Sequence, residues 1–180
     1  TKTIESDERY EAVPSYIGFT DYVAQGGYQL LKEYLSGQTS ADQILECIEK
    51  SGLRGLGGAG FPTARKWQFV RKEPKPRLMA VNADGGEPGT FKDRYYLETD
   101  PHRFLEGMLI SARIVEAEDI YIYLRDEYPA IRKILQDELE RVNAEGLTKG
   151  ITVHIRRGAG AYICGEESAM LESIEGKRGV

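Results

Sequence analysis

The sequence is poor in cysteine, in basic residues relative to acidic ones, and in long apolar runs. Its two cysteines, Cys47 and Cys164, stand too far apart to suggest a disulfide framework or an iron–sulfur cluster held by this chain alone. A net charge of −5 leaves no basic excess to neutralise phosphates, which argues against nucleic-acid binding. No apolar run reaches the about 18 residues of a membrane span. Residues 1–13 lack the apolar core of a signal peptide, so we expect a cytoplasmic protein without direct membrane insertion.

What the sequence does have is an ordinary soluble composition with unevenly placed glycine. Its 180 residues, 41% of them hydrophobic, suffice for a sizeable core. The 20 glycines are clustered in a few short stretches rather than spread as linkers. Such stretches let main-chain N–H groups approach a ligand closely, so they are the first places to look for a site.

Helical patterns fill the first part of the chain. Residues 20–35 carry an apolar stripe, and Ser40 with Gln43 has the pattern of a capping box ahead of a second helix. A glycine loop, GLGGAGFP at 55–62, then leads into a short helix that ends at about Arg71. We therefore expect an N-terminal helical segment.

From about residue 77 the pattern alternates between strands and helices. The expected strands are 77–81, 119–124 and 151–155, and the expected helices are 100–115, 131–142 and 165–176. The first strand is a continuous apolar run, typical of a strand buried on both faces. This alternation predicts an α/β fold with a parallel sheet and helices on both faces.

Polar, glycine-rich stretches follow the first and third strands. They are NADGGEPGTFKDR at 82–94 and RRGAGAYICGEE at 156–167. Ligands of open α/β sheets bind at the carboxyl ends of the strands, so both stretches should face one crevice. The acids of the first stretch lack the spacing of a calcium loop, and a polar organic ligand fits better than a metal ion. The adjacent acids Glu166 and Glu167 suit ribose hydroxyls, although acids are also ordinary in a first helical turn.

The glycine loop at 55–62 leaves two alternatives open. It matches GxGxxG at Gly55, Gly57 and Gly60, but a helix rather than a strand precedes it, so the dinucleotide-binding turn of a Rossmann fold is not expected. Its glycines and the following helix could still meet a phosphate or a flat ring. A tight interhelical loop explains the pattern equally well. His102 and His154 are interpreted as structural.

Three motifs together resemble one protein family. They are GLRGLGGAGFPTARKW, NADGGEPGTFKDR and GAGAYICGEESAMLESIEGKRG. The family is the FMN- and NADH-binding subunit of complex I-type NADH dehydrogenases, shared with the diaphorase subunits of NAD-reducing hydrogenases and NAD-dependent formate dehydrogenases. The leucine in RGLGGAG and the lead-in look most like the formate dehydrogenase β subunit. The resemblance implies a Rossmann-like FMN/NAD(H)-binding α/β domain at 53–180, preceded by a helical lead-in at 1–52.

The resemblance also implies a role for each matching residue. For the phosphate and ribityl chain of FMN it implies Gly55, Gly57, Gly58 and Lys66. For the flavin ring it implies Asn82 and Asp84, joined by Tyr162, Gly165 and Glu166. For NADH it implies Phe61 and Phe69 around the adenine, with Glu87 and Glu167 at the nicotinamide or ribose side and Glu87 in a positioning role. No side chain is implied as catalytic, because the hydride passes to FMN.

The implied activity is hydride exchange between NADH and FMN, with electrons passed to or from iron–sulfur clusters. The implied partners are a small thioredoxin-like [2Fe–2S] subunit and a larger iron–sulfur or catalytic subunit. The family continues into a ubiquitin-like domain and a helical domain with a [4Fe–4S] cluster, so this chain resembles the N-terminal portion only. Two positions depart from the family, with Gly85 where an acid is usual and Leu56 where arginine is common.

Two rival functions remain. A nucleotide-binding fragment could serve in assembly without turnover. A simple NAD dehydrogenase with its own substrate would need a histidine near the nicotinamide, and neither histidine is well placed for that role.

Overall fold

The computed structural model describes residues 12–56 and 58–178. Gly57, one of the expected FMN ligands, and nearly all of the opening stretch 1–13 therefore lie outside the described residues. The described elements are α1 (Phe19–Ala24), α2 (Gln29–Leu35), α3 (Ala41–Ser51), α4 (Thr63–Val70), β1 (Leu78–Ala83), α5 (Lys92–Thr99), α6 (Pro101–Val115), β2 (Asp119–Leu124), α7 (Pro129–Ala144), β3 (Thr152–Arg157), a 3₁₀ turn (Tyr162–Gly165) and α8 (Glu167–Ile174). No described helix is both long and apolar enough to cross a membrane.

The three strands form a parallel sheet in the order β1-β2-β3, which confirms the predicted α/β fold. Crossovers between parallel neighbours are right-handed, so α6 and α7 lie on the same face. On that face Ile120, Ile122 and Leu124 of β2 are buried in one core with Leu105 of α6 and Ile131 of α7. Strand alternation therefore directs one side of β2 into the main core.

Within residues 12–56 and 58–178, the opposite face is covered only near the carboxyl ends of the strands. There Tyr123 is buried with Cys164 and Met170, beneath the 3₁₀ turn and α8. Helices thus lie on both faces, as predicted. The expectation that β1 is buried on both faces is wrong, because Leu78 is 59% exposed and Ala80 is exposed too. Helix α8 does not reach the amino-terminal half of this face.

Capping residues set the helix boundaries of the first part of the chain. The main-chain N–H of Gln43 donates to Ser40 Oγ at 3.2 Å, and the main-chain N–H of Ser40 donates to Gln43 Oε1 at 2.8 Å. The predicted capping box is therefore confirmed. Pro62 precedes α4 and Arg71 follows it, as expected. Helix α5 departs from the sequence pattern, which places residues 92–94 in a loop. The helical signal there is weak, since Leu97 is its one buried residue.

The lead-in helices are packed into the main core. Tyr28 and Leu31 are fully buried in the same cluster as the sheet. The hydroxyl of Tyr28 lies 2.8 Å from His102 Nδ1, and His102 Nε2 lies 2.8 Å from Glu138 Oε2. Because a carboxylate can only accept, the His102 proton sits on Nε2, and Nδ1 accepts from Tyr28. Burial lowers the pKa of His102, which keeps the ring neutral and supports its structural role.

Candidate functional site

Asn82 joins the two glycine-rich stretches at the carboxyl ends of the strands. Its Nδ2 donates to the carbonyl of Gly165 at 2.8 Å, and its Oδ1 accepts from the amide of Asp84 at 3.1 Å. Gly165 belongs to the stretch after β3, and Asp84 to the stretch after β1. The two stretches therefore meet at one edge of the sheet, as the parallel arrangement predicts.

The carboxylate of Asp84 lies between main-chain segments from both stretches. Asp84 is only 3% exposed. A Cβ added to Gly158 would lie 2.9 Å from Asp84 Oδ1, and one added to Gly86 would lie 3.0 Å from Oδ2. A Cβ at Gly165 would lie 3.5 Å from Oδ2. A side chain at position 158 would thus force the carboxylate to move, and one at position 86 would crowd it.

The Asp84 carboxylate accepts no hydrogen bond from the described residues, and its oxygens keep some contact with solvent, since Arg113 Nε is the only fully buried side-chain polar atom without a partner in the described part of the chain. Burial raises its pKa, the charge of Arg125 lowers it, and the charge of Glu127 raises it further. An acceptor that has no partner in the chain and still reaches solvent can accept a hydrogen bond from a bound molecule. Asp84 therefore offers an acceptor to an N–H or O–H group that the chain does not supply.

Glu166 and Glu167 take different positions at the start of α8. Glu166 caps the helix, because its carboxylate accepts from the amides of Ser168 at 3.0 Å and Ala169 at 3.2 Å. Bonding to the Ser168 hydroxyl, followed by these amide bonds, lowers the pKa of Glu166. The sequence pattern starts this helix at 165 and so places Glu166 inside its first turn. In the structure Glu167 is the first helical residue, and both residues are exposed, but only Glu166 caps the helix.

Two more of the expected ligands are exposed near this edge. Tyr162 is 65% exposed in the 3₁₀ turn, and its Cα lies 3.6 Å from a Cβ built on Gly86. Glu87 is exposed in a turn closed by the amide of Thr90, which donates to the Glu87 carbonyl at 3.0 Å. Tyr162 thus lies beside Gly86, two residues after Asp84. Glu87 follows Gly86 on the same loop, and no described contact joins its side chain to Asp84.

The glycine loop is closed by its own hydrogen bonds. The amide of Gly55 donates to the carbonyl of Phe61 at 3.0 Å, and Arg54 Nη1 donates to the carbonyl of Gly60 at 3.0 Å. Leu56, at a position where the family often has arginine, is 93% exposed, and nothing in the structure explains the leucine. Gly58 is exposed in this loop, and Lys66 is exposed on the following helix α4. A helix precedes the loop, as expected.

Phe61 and Phe69 form an exposed aromatic pair beside this loop. Their ring centroids are 6.2 Å apart with 46° between the planes, and each ring is about half exposed. A flat base between two parallel rings needs roughly 7 Å, twice the contact distance of carbon atoms. The pair would have to open and turn to hold an adenine. Its assignment to adenine stays a prediction.

The expected ligands therefore fall into two groups. Hydrogen bonds join Asn82 to Asp84 and Gly165, and Tyr162 lies beside Gly86 next to them, whereas the glycine loop and the phenylalanine pair form a second group. Within the described residues, no hydrogen bond or ring contact joins the two. A cavity of about 340 Å³ lies beside Asn82 and is otherwise lined mainly by α5 and α6. No group of three or more described His, Cys, Asp or Glu residues could hold a metal ion.

Sequence reasoning missed one residue at this edge. Arg125 directly follows β2, and its Nη1 donates to the carbonyl of Gly85 at 2.7 Å. It belongs to none of the three motifs. Its position directly after the central strand could have indicated that it lies at the site, because the carboxyl ends of all three parallel strands meet at the same edge.

Comparisons with known proteins identify the family of this chain. The sequence profile described as the Nuo51 FMN-binding domain matches residues 48–180. An NADH-quinone oxidoreductase subunit of Aquifex aeolicus (strain VF5) is 48% identical over 174 residues, which are 92% of this chain and 40% of that protein. An NADH-quinone oxidoreductase subunit of Rhizobium meliloti (strain 1021) is 51% identical over 175 residues, 92% of this chain and 41% of that protein. The mitochondrial NADH-ubiquinone oxidoreductase 51 kDa subunit of Neurospora crassa is 45% identical over 151 residues, 77% of this chain and 31% of that protein. The chain thus spans less than half the length of each of these relatives.

Solved structures show the same fold. A chain in the crystal structure of an NAD⁺-reducing [NiFe]-hydrogenase in the H₂-reduced state matches with a TM-score of 0.79 and 39% identity, over 96% of this chain and 31% of that chain. The air-oxidized state of an NAD⁺-reducing [NiFe]-hydrogenase gives a TM-score of 0.77 and 40% identity, over 96% and 30% of the two chains. The parallel sheet and its flanking helices are therefore shared with that chain.

Proposed function

The chain belongs to the family of the Nuo51 FMN-binding domain, and on that premise we propose that it is the flavin-binding part of an oxidoreductase subunit. The subunit exchanges a hydride between NADH and FMN and passes electrons to or from iron–sulfur clusters of a multi-subunit enzyme. The observation that carries this proposal is the Asp84 carboxylate, to which no described residue donates a hydrogen bond, at the edge where two family motifs meet.

The residues present fit FMN. The flavin ring carries an imide N–H, the kind of donor that the Asp84 carboxylate lacks. Asn82, Tyr162 and Gly165 lie around Asp84 and would border the same ring, while Glu166 would contribute mainly by capping α8. Bound FMN would supply the redox chemistry, and the chain would position it and tune its potential.

The second group of residues would hold the remaining parts of the two nucleotides. Gly55, Gly57, Gly58 and Lys66 are proposed for the phosphate and ribityl chain, because a glycine loop followed by a helix offers amide groups and a positive end. Phe61 and Phe69 are proposed to enclose the adenine of NADH. The exposed acids Glu87 and Glu167 are proposed for the nicotinamide or ribose side, where carboxylates accept from hydroxyls.

The test compares Asp84→Ala with Asp119→Ala in the full-length protein. Asp119 lies at the opposite end of the sheet, where it contacts His154 Nε2 at 2.8 Å. A lost hydrogen bond to a charged group should weaken FMN binding about 10- to 100-fold in the Asp84 variant and leave the Asp119 variant unchanged. Flavin absorbance on titration with FMN, and its bleaching by NADH, measures this. A colourless wild-type protein that ignores added FMN would refute the proposal.

A finer proposal concerns the electron partner. Leu56 and the lead-in resemble the formate dehydrogenase β subunit, so we propose a soluble NAD-dependent formate dehydrogenase as the parent enzyme, with a thioredoxin-like [2Fe–2S] subunit as neighbour. A complex I or NAD-reducing hydrogenase subunit is the alternative. Copurification with the tagged full-length protein from its host, followed by formate- and hydrogen-dependent NAD⁺ reduction, distinguishes them. Hydrogen-dependent reduction alone would refute the formate assignment.

A second candidate function is a role in assembly without turnover, with nucleotide held weakly or not at all by this part of the subunit. The separation of the expected ligands into two groups within this chain favours it. Calorimetric titration of residues 1–180 with FMN and then NADH tests this candidate. Heat on FMN addition supports a flavin site within the chain, and no heat with either nucleotide favours a role in assembly.

A further inference from the structure

Arg125 makes a long-range contact to the loop that follows β1. The residue directly follows β2, and its amide donates to the carbonyl of Ala83 at 3.2 Å. Its Nη1 donates to the carbonyl of Gly85 at 2.7 Å, across a sequence separation of 40 residues. The contact thus connects the central strand to the residue next to Asp84.

The guanidinium group of Arg125 is held in place by neighbours on its other side. Its Nε is ion-paired with the carboxylate of Glu127. Its Cζ lies 5.6 Å from the ring centroid of Tyr128, and the Cζ of Arg94 lies 5.4 Å from the same ring. Arginine over an aromatic ring is a favourable arrangement, and Tyr128 itself is buried. Arg125 is therefore fixed before any ligand arrives.

Gly85 and Gly86 make the loop depend on such an outside contact. Gly85 adopts a φ of +53°, in the left-handed region, and two successive glycines restrict the backbone less than any other pair. The carbonyl of Gly85 and the amide of Gly86 belong to one planar peptide, so a bond that fixes the carbonyl also fixes the direction of the Gly86 N–H. Gly86 lies between the Asp84 carboxylate and Tyr162.

We propose that Arg125 is a positioning residue of the flavin site, which holds the Gly85–Gly86 peptide in one orientation and places a positive charge beside Asp84. This inference rests on the proposed function. The charge of Arg125 opposes the effect of burial on the Asp84 pKa, and so favours the carboxylate over the neutral acid. Arg125 thus acts on the ligand-binding acid through the loop shape and through its charge.

Arg77 provides a matched control at the other end of β1. Its guanidinium also donates to main-chain carbonyls, through Nη2 to Arg71 at 2.7 Å and through Nη1 to Val115 at 3.1 Å. Removing the Arg77 guanidinium costs the fold at least as many contacts as removing that of Arg125, because Arg77 Nε also donates to the carbonyl of Glu73 at 3.0 Å and Nη1 lies 3.2 Å from Glu116 Oε2. Only the loss of Arg125 should change the flavin site.

The experiment compares Arg125→Gln, Arg125→Lys and Arg77→Gln in the full-length protein. Arg125→Gln should weaken FMN binding about tenfold, and Arg125→Lys should recover part of the loss because it keeps the charge and one donor. The midpoint potential of bound flavin should fall in Arg125→Gln, since a nearby positive charge favours added electrons. Arg77→Gln should match the wild type in both measurements. If Arg125→Gln does not fold, an Arg125→Lys variant with wild-type affinity and potential overturns the proposal.

A second measurement needs no flavin. Carbon-13 labelled aspartate in the flavin-free protein reports the Asp84 titration by NMR, assigned with Asp84→Asn. The Asp84 pKa should be higher in Arg125→Gln than in the wild type and in Arg77→Gln. An unchanged Asp84 titration together with unchanged FMN affinity overturns the role of Arg125. A wild type that binds no FMN, with the Asp84 titration still shifted, would refute the proposed function and leave the coupling of Arg125 to Asp84 intact.

Discussion

Replacing Gly158 by alanine should displace the Asp84 carboxylate and weaken both folding and FMN binding. The added Cβ would lie 2.9 Å from Asp84 Oδ1, 3.2 Å from the carbonyl oxygen of Leu124 and 3.3 Å from Tyr123 Cε1. The Leu124 carbonyl cannot retreat freely, because it accepts from the Gly158 amide at 2.7 Å. Tyr123 is fully buried, so the carboxylate is the group that has to move.

The magnitude follows from overpacking of a buried site. One extra methyl group in such a site costs about 1–3 kcal/mol of unfolding free energy. For a chain of this size that lowers Tm by roughly 2–12 °C, at about 2–4 °C per kcal/mol. Displacement of Asp84 should also weaken FMN binding about tenfold or more, through the loss of a hydrogen bond to a charged group.

Gly107→Ala is the control for this experiment. Gly107 lies inside α6, and no atom lies within 4 Å of the Cβ that alanine would add. Alanine is the better helix former by about 1 kcal/mol, so this variant should melt higher than the wild type. Thermal unfolding by circular dichroism and FMN titration of both variants measure the two effects. A Gly158→Ala protein with wild-type Tm and FMN affinity would refute the packing of Asp84 against Gly158.

Three further substitutions test the charges of the molecule. Burial lowers the pKa of His102, so the unfolded chain binds a proton more readily than the folded chain, and the unfolding free energy should fall as the pH drops below about 6.5. His102→Gln should lose this part of the pH dependence, which urea titrations at several pH values measure. An equal change of unfolding free energy with pH in both proteins would contradict the prediction. Gly85→Glu should lower the flavin midpoint potential by adding negative charge, at a cost of about 1 kcal/mol for its left-handed backbone. Gly89→Glu is the control, because Gly89 also has a left-handed backbone and the substitution has a similar cost. Potentiometry should show a lower flavin potential in Gly85→Glu only, and the absence of that difference would contradict the effect. Glu167→Ala should raise NADPH use relative to NADH, because a carboxylate near the adenosine ribose repels a 2′-phosphate. Glu172→Ala, on the same helix, should leave the ratio of NADPH to NADH use unchanged. An unchanged ratio in Glu167→Ala would show that Glu167 does not lie near this ribose.

The strongly patterned elements could be predicted from sequence. Strand β2 occupies the expected residues 119–124, because apolar alternation there matches a buried face. Helix α5 could not be predicted, since Leu97 alone is buried and the helix follows a turn rich in glycine and proline. The apolar run of β1 suggested burial on both faces. A continuous apolar run cannot show how much of the second face is covered, and Leu78 and Ala80 are left exposed.

The candidate site was predictable where sheet topology determines proximity. Asn82 and Gly165 meet because parallel strands end at one edge, which the order of elements already implied. The capping role of Glu166 could not be seen, because a shift of the helix start by two residues decides whether its carboxylate faces its own helix. Arg125 carries no motif, and its contact with Gly85 depends on a loop conformation that the sequence does not specify.

The packing of the lead-in helices has a consequence for how the protein can be shortened. A chain trimmed to the family match, residues 48–180, would keep all the residues proposed for FMN and NADH. It would also lose Tyr28, which is fully buried and donates to His102, and Tyr16, which donates to Glu138 at 2.8 Å. The His102 imidazole and the Glu138 carboxylate would each lose a donor and border an open cavity. Deletions from the amino terminus should therefore abolish soluble expression well before they reach Gly55, the first residue proposed as a nucleotide ligand.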